Sequence, residues 1–183
     1  MTRIIAGVAG GRRLAVPPKG TRPTSDRVRE ALFAMLSHDP GLDGAAVLDL
    51  CAGSGALGLE ALSRGAALAL LVESDRRVAA VLHRNVATLG LSGADVAVLD
   101  AGTLVRGPAR RAYDVVLVDP PYDVPAERVA RWLADAAANG WLADDAVVAV
   151  ERAARDGAFP WPRPLHAVRD RRYGDTVVHL GSR

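Results

Sequence analysis

Apolar residues in this chain come in two spacings. Val28, Ala31, Leu32, Met35 and Leu36 fall three and four apart, which predicts a helix beginning at Thr24. Thr24 or Ser25 can cap it, Asp26 puts a negative charge in its first turn, and Asp39-Pro40-Gly41 ends it. Residues 46–50 are instead a short, mostly apolar run of the kind that forms a buried strand. Strand and helix then alternate. Helices are predicted at 56–64, closed by Gly65, and at 75–89, with Val78, Val81, Leu82 and Leu89 on one side. A further helix is predicted at 126–138, and strands at 68–73, 95–99, 114–119 and 146–151. The two ends differ from this middle. Residues 2–8 and 12–16 are strand-like around Gly10-Gly11, and 165–173 and 176–180 flank Gly174-Asp175, so each end reads as a hairpin. Pro17, Pro18, Gly20 and Pro23 make an irregular connector after the first.

Repeated β-α units imply an α/β fold with a mostly parallel sheet and helices on both faces. The C-terminal antiparallel hairpin would extend one edge, and the N-terminal β-hairpin would be an extension. At 183 residues the chain is the size of one domain. The organisation predicted is a basic hairpin extension over 1–23 and one α/β domain over 24–183.

Charge changes this picture, because its distribution is uneven. The net charge is only +2, yet residues 1–25 contain Arg3, Arg12, Arg13, Lys19 and Arg22 and no acidic residue. A second basic group, Arg163, Arg169, Arg171 and Arg172, has Trp161 and Tyr173 close by. Basic stripes with interleaved aromatics suit contact with a phosphate backbone. Cys51 is the single cysteine, so no internal disulfide can form and a reducing compartment is expected. No apolar run has the length of a membrane span, and the first apolar stretch runs straight into Arg12-Arg13, unlike a signal peptide. A soluble cytoplasmic protein is expected. His38, His83, His166 and His179 lack metal-ligand spacing, so no metal is expected.

The candidate chemistry begins at residues 47–58, VLDLCAGSGALG. Gly53 to Gly58 is a G-x-G-x-x-G run, and Glu73 follows Gly53 by twenty positions, where a ribose-binding carboxylate belongs. That much fits a nicotinamide dinucleotide and other adenosine cofactors alike. In an open α/β sheet the ligand sits at the carboxyl ends of the strands. The loops there carry Asp49, Ala52, Gly53, Ser54 and Gly55; Glu73 and Ser74; Asp100 and Ala101; and Asp119-Pro120-Pro121-Tyr122. The last loop separates the candidates. The exocyclic nitrogen of a purine is a poor nucleophile, since its lone pair is delocalised into the ring. Asp119 and the Pro120 carbonyl can accept its N–H groups, and the two prolines make a stiff turn that presents acceptors only. Tyr122 offers a face on which an unstacked base can lie. A hydride-transfer enzyme has no use for this tetrapeptide, whereas an amino-group methyltransferase using S-adenosylmethionine does. Cys51 sits within the cofactor loop, away from that turn, and reads as a small packing residue. Trp132 and Trp141 read as core.

Five segments carry a resemblance: Arg22 to Glu30 (RPTSDRVRE), Leu48 to Gly55 (LDLCAGSG), Glu60 to Gly65 (EALSRG), Asp119 to Tyr122 (DPPY) and Tyr173 to Thr176 (YGDT). Together they resemble the RsmD-like family of bacterial 16S ribosomal RNA guanine-N2 methyltransferases, over essentially the whole chain. The first segment discriminates; the DPPY turn is shared with other amino-methyltransferases. The resemblance implies a Rossmann-like class I S-adenosylmethionine-dependent methyltransferase that methylates one guanine of 16S rRNA in the small subunit or its assembly intermediate, as a monomer. It implies that Gly53, Ser54, Gly55, Glu73 and Asp100 surround the cofactor and that Asp119, Pro120 and Tyr122 hold the base. Residues 22–30 would lie beside the cofactor's methionine end and the RNA, and Arg3, Arg12, Arg13, Lys19, Arg22 and Arg27 are the candidate RNA contacts. Cys51, and Ser25 where threonine is common, depart from the family pattern. The alternatives are an adenine-N6 methyltransferase acting on DNA or RNA through the same turn, a nucleic-acid-binding protein without catalysis, and a nicotinamide oxidoreductase.

Overall fold

A small antiparallel pair, β1 (Thr2–Arg3) and β2 (Arg13–Leu14), precedes a seven-stranded sheet. The sheet is built from β3 (Ala46–Asp49), β4 (Leu68–Val72), β5 (Ala94–Ala97), β6 (Tyr113–Val118), β7 (Leu142–Ala153), β8 (His166–Tyr173) and β9 (Thr176–Ser182). This computed structural model describes residues 2–17, 25–37 and 41–183. The strand order is β5-β4-β3-β6-β7-β9-β8. The first five strands in that order are parallel, whereas β9 runs antiparallel to both β7 and β8.

Period-2 alternation splits the core into two layers. Val47, Leu71, Val115, Leu117 and Ala149 face one side, and Leu48, Val72, Val116, Val118 and Val148 the other. Helices α1 (Asp26–Leu36), α2 (Ala56–Ser63) and α3 (Arg76–Leu89) cover the first face. Helices α4 (Ala101–Arg106) and α5 (Ala126–Ala138) cover the second. Ser25 caps α1, its Oγ accepting the Val28 N–H at 3.3 Å, and Asp75 caps α3 through the Arg77 and Val78 amides.

Three features differ from the sequence reading. Each strand of the N-terminal hairpin is only two residues long: Ile4 still bonds to Gly11 and Arg12 across the pair, but residues 5–9 turn aside to bond with α2. β7 runs well beyond 146–151: Leu142 pairs with Tyr113 at one end, and Arg152 and Ala153 pair with Val177 and Thr176 at the other. Helix α4 was not foreseen, since Gly102 and Thr103 are weak helix formers. Asp100 compensates by accepting from the Thr103 N–H at 2.9 Å. The boundary expected at 23/24, with Thr24, Asp39 and Pro40, lies outside the described residues.

The hairpin shares the core. Ile4, Ala9 and Leu14 are buried in the α1–α3 layer. Fully buried Glu60 accepts the Ile5 N–H at 2.6 Å and the Ala6 N–H at 3.0 Å, and Arg64 Nε donates to it at 2.7 Å. One turn on, Ser63 Oγ accepts from the Ala9 N–H and donates to the Ala6 carbonyl. The EALSRG segment is thus the clasp that seats the hairpin. Arg29 adds a second tie, donating to the Arg3 carbonyl at 2.8 Å and to Asp26 at 2.7 Å from a fully buried position.

Candidate active site

Strands β3 and β6 are neighbours, and β4–β5 and β7 extend the sheet in opposite directions from them. Their carboxyl ends therefore lie at the point where strand order reverses, which is where open α/β sheets bind ligands. This topology brings residues 50–55 beside residues 119–122, although some seventy positions separate them in the chain.

A cavity of about 170 Å³ opens there. Of the residues predicted from sequence, it brings together Gly53, Glu73, Ser74, Asp100, Ala101, Asp119 and Pro121. The loop after β3 is held open by two left-handed glycines, Gly53 (φ 56°) and Gly55 (φ 87°). They serve different ends. A Cβ on Gly53 would meet nothing within 4 Å, so this position leaves space for a ligand. A Cβ on Gly55 would come within 2.6 Å of Leu82 and 2.8 Å of Leu59, so this position lets α2 start against the core. Glu73, at the end of β4, is oriented by main chain: one carboxylate oxygen accepts the Gly53 N–H at 3.1 Å and the other the Asp75 N–H at 2.8 Å. Each oxygen keeps a further lone pair, so both can still accept from a vicinal diol.

The other predicted cofactor residues support the wall from behind. Ala52 is buried and bonds through its N–H to the Val72 carbonyl at 2.9 Å. The Ser54 carbonyl accepts from Asn85 Nδ2 at 2.8 Å, and the same buried amide group bonds to both the N–H and the carbonyl of Ala15 at 2.9 Å. Asn85 therefore joins the chain leaving the hairpin to the cofactor loop. Asp49 points beneath the loop and accepts the Gly58 N–H at 2.9 Å, while its other oxygen is buried without a hydrogen-bond partner. Burial, followed by the charges of Asp119 and Glu73, pushes its carboxyl up to about 7. Pro120 is buried, and Tyr122 stands exposed beyond the cavity rim.

Sequence reasoning missed Val124, Arg128 and Trp132, which line the side of the cavity formed by α5. Trp132 is at once core and cavity wall, with the Arg128 guanidinium 5.8 Å above its ring. The four-residue spacing after the DPPY turn was the available signal. Cys51 also touches the cavity. Burial, then the charges of Asp49, Asp119, Glu73 and Asp100, raises its thiol well above the usual range, so it is no nucleophile. Glu73, Asp100 and Asp119 line the cavity and outnumber its one cation, Arg128, which suits a cationic ligand. Among the described residues no cluster has the makings of a metal site, and no helix is long and apolar enough to cross a membrane.

The basic residues divide. Arg12 is occupied at the end of α3, donating to the Leu89 carbonyl at 2.7 Å and to the Thr88 carbonyl. Arg3 pairs with Asp26 at 3.3 Å. Arg13 and Arg27 are exposed, and Lys19 and Arg22 lie outside the described residues.

The family described as Conserved hypothetical protein 95 matches residues 2–182. "Ribosomal RNA small subunit methyltransferase D" of Escherichia coli (strain K12) is 42% identical over 183 residues, covering 99% of this chain and 89% of that protein. The protein of the same name from Haemophilus influenzae is 40% identical over 154 residues, 81% of this chain and 77% of that one. The solved structure of the Escherichia coli protein yhhF superposes with a TM-score of 0.86 at 38% identity, covering 100% of this chain and 97% of that chain. With its parallel sheet, C-terminal antiparallel hairpin and glycine loop in that setting, the chain has the Rossmann-like class I methyltransferase fold and belongs to the RsmD-like family.

Proposed function

We propose that this protein transfers a methyl group from S-adenosylmethionine to the exocyclic N2 of a guanine in 16S ribosomal RNA, in the cytoplasm. The observation that carries the reading is the meeting of Asp119 and Pro121, from the DPPY turn, with Gly53, Glu73 and Asp100 around one cavity lined by three carboxylates. The cavity's residues fit the cofactor. Glu73 is held with both oxygens able to accept from ribose hydroxyls, and Gly53 leaves room for close approach. Asp100 and Ala101 begin α4 on the opposite wall, and the carboxylates offset the charge of a sulfonium and an ammonium. When bound, the cofactor supplies an electrophilic methyl group.

The protein's part is to position the acceptor. Asp119 and the Pro120 carbonyl accept the two N–H groups of the amine, which turns its lone pair out of conjugation and toward the cavity. Tyr122, exposed outside the cavity lining, stacks on the base, and the stiff Pro120-Pro121 turn keeps these groups in register. Most of the acceleration comes from this alignment and electrostatic placement. Asp119 holds the departing proton's hydrogen bond throughout and can pass it to water at the rim.

The test is transfer of label from S-adenosylmethionine to unmodified 16S rRNA, naked and in small subunits, with DNA as comparison and the product nucleoside identified by mass spectrometry. N2-methylguanosine is expected. N6-methyladenosine would keep the mechanism and overturn the base, and no transfer to any RNA would overturn the substrate.

A further inference from the structure

The second basic group found in the sequence is not absorbed by the site. Three of its four arginines, Arg169, Arg171 and Arg172, lie on β8, an edge strand of the sheet. Register decides which way its side chains face. Arg169, Arg171 and Tyr173 pair with Leu180, Val178 and Thr176, and Val178 and Leu180 belong to the layer covered by α1. Arg169 and Arg171 therefore point to the α1 side, about 7 Å apart along the strand. Asp170 faces the other way and is held by His179 at 2.8 Å. Both arginines are exposed, and among the described residues neither side chain is engaged in a hydrogen bond or ion pair.

Between α1 and β8 runs a groove of about 670 Å³, with Met35 on one bank and Val168 and Arg169 on the other. Its two ends can be told apart. Tyr173 pairs with Thr176, which pairs with Ala153 at the carboxyl end of β7, so the Tyr173 end is the end that carries the active site. The amino end of α1 points the same way, since Arg29 reaches the Ala56 carbonyl beside the cofactor loop. Arg27 stands exposed in the first turn of α1, at the active-site end, with exposed Glu30 one turn further on. At the far end Asp145 and Arg183 both line the groove, and Arg183 pairs with Asp144 at 3.4 Å. Arg169 lines the groove without a partner, and Arg171 lies beyond it toward the end that carries the active site.

We propose that the α1-facing side of β8, carrying Arg169 and Arg171, is a second RNA-binding surface that grips the phosphate backbone of the substrate strand away from the target base. This rests on RNA being the substrate. Alternate positions of an extended strand form a straight row of forked donors, the geometry that suits a phosphate backbone lying along the sheet edge.

The test compares wild type with the full-length double variant Arg169→Gln/Arg171→Gln. Arg110→Gln/Arg111→Gln is the control, removing the same charge near the start of β6 on the other side of the molecule. Binding to a 16S rRNA fragment is followed over a range of salt, alongside S-adenosylmethionine affinity and steady-state methyl transfer. For the β8 variant the log–log salt slope should fall by about 1.4–1.8, the value for two lost phosphate contacts. KM for RNA should rise while kcat and cofactor affinity hold, and the control should match wild type. An unchanged slope in a variant that still binds cofactor, or an equal drop in the control, would overturn the surface alone. A defect confined to assembled subunits and missing on naked RNA would assign the arginines to an acidic protein and overturn it too. A wild type that neither binds nor methylates RNA would bring down the substrate reading, and this surface with it.

Discussion

Glu60→Gln tests whether the hairpin is held by the clasp described above. The substitution keeps the size of a fully buried side chain but removes its charge and one of its two acceptor oxygens. If the amide oxygen stays on Ala6 and Arg64, the new NH2 faces the Ile5 N–H, now 2.6 Å from an acceptor, and a backbone donor is orphaned. An unsatisfied buried donor costs about 1–3 kcal/mol, and the two remaining bonds each weaken by about 1 kcal/mol on losing their charged acceptor. The loss is therefore about 3–5 kcal/mol, confined to the seating of residues 4–14. Native-state hydrogen exchange reads it directly. The amides of Ile5, Ala6 and Ala9 should exchange about a hundred- to several-thousand-fold faster. Amides of β3, β4 and β6 should exchange as before. Hairpin amides at the wild-type rate would refute the clasp. Equal acceleration of hairpin and sheet would show that the hairpin does not open separately and that the bonds stabilise the whole domain.

Asp119→Ala should abolish methyl transfer while calorimetry finds cofactor affinity within a few-fold of wild type; a near-normal rate would mean the base is held elsewhere. Asp49 has a folded-state pKa of about 7, above its ordinary 3.8, so its protonated form is favoured by folding. That stability, about 4 kcal/mol, is fully present below the lower value and is lost as pH rises through the upper. Asp49→Asn should therefore gain on wild type in urea denaturation between about pH 4 and pH 7, and parallel pH profiles would contradict the buried, underbonded carboxyl. The two loop glycines should fail differently. Gly55→Ala should lower stability by about 1–3 kcal/mol through its backbone and its clash with Leu82, whereas Gly53→Ala should keep most of the stability and lose cofactor affinity; melting and cofactor titration of both would show the reverse pattern if the loop were misread. Arg13→Glu should reduce the salt slope of RNA binding by about 1 or more with the hairpin still seated, and an unchanged slope would make this arginine part of a solvated face.

The sheet was legible because its central strands are buried on both faces, so β3, β4 and β6 are nearly unbroken apolar runs bounded by turns. Helix α3 was legible for the opposite reason, since only one side of it is buried. The glycine loop, Glu73 and the DPPY turn stood out in the sequence because the proposed chemistry demands particular residue types at each, and Gly53, Glu73, Asp119 and Pro121 do line one cavity. What the sequence could not display were side chains whose role depends on a distant partner. Glu60 and Ser63 look like ordinary helix residues until the hairpin is laid against them. Asn85, in the middle of α3, bonds to Ala15 and Ser54, neither near it in the chain. Arg12 looked like its exposed neighbour Arg13, yet it caps a helix. Trp132 reads as core from its spacing, and it is core, but the same side chain also lines the cavity.

The position of β9 has a consequence for the order of events during synthesis. It is made after β8 yet sits inside it, between β8 and β7. β8 therefore has no place on the sheet until the chain turns at Gly174-Asp175 and β9 follows. The local route is for β8 and β9 to zip as a hairpin, within microseconds, and to dock on β7 as a unit. Until then Arg169 and Arg171 hang on an unpaired segment with no groove beside them. On the RNA reading, the edge that grips the substrate comes into being last, so a half-made chain still attached to a ribosome cannot yet clasp ribosomal RNA there.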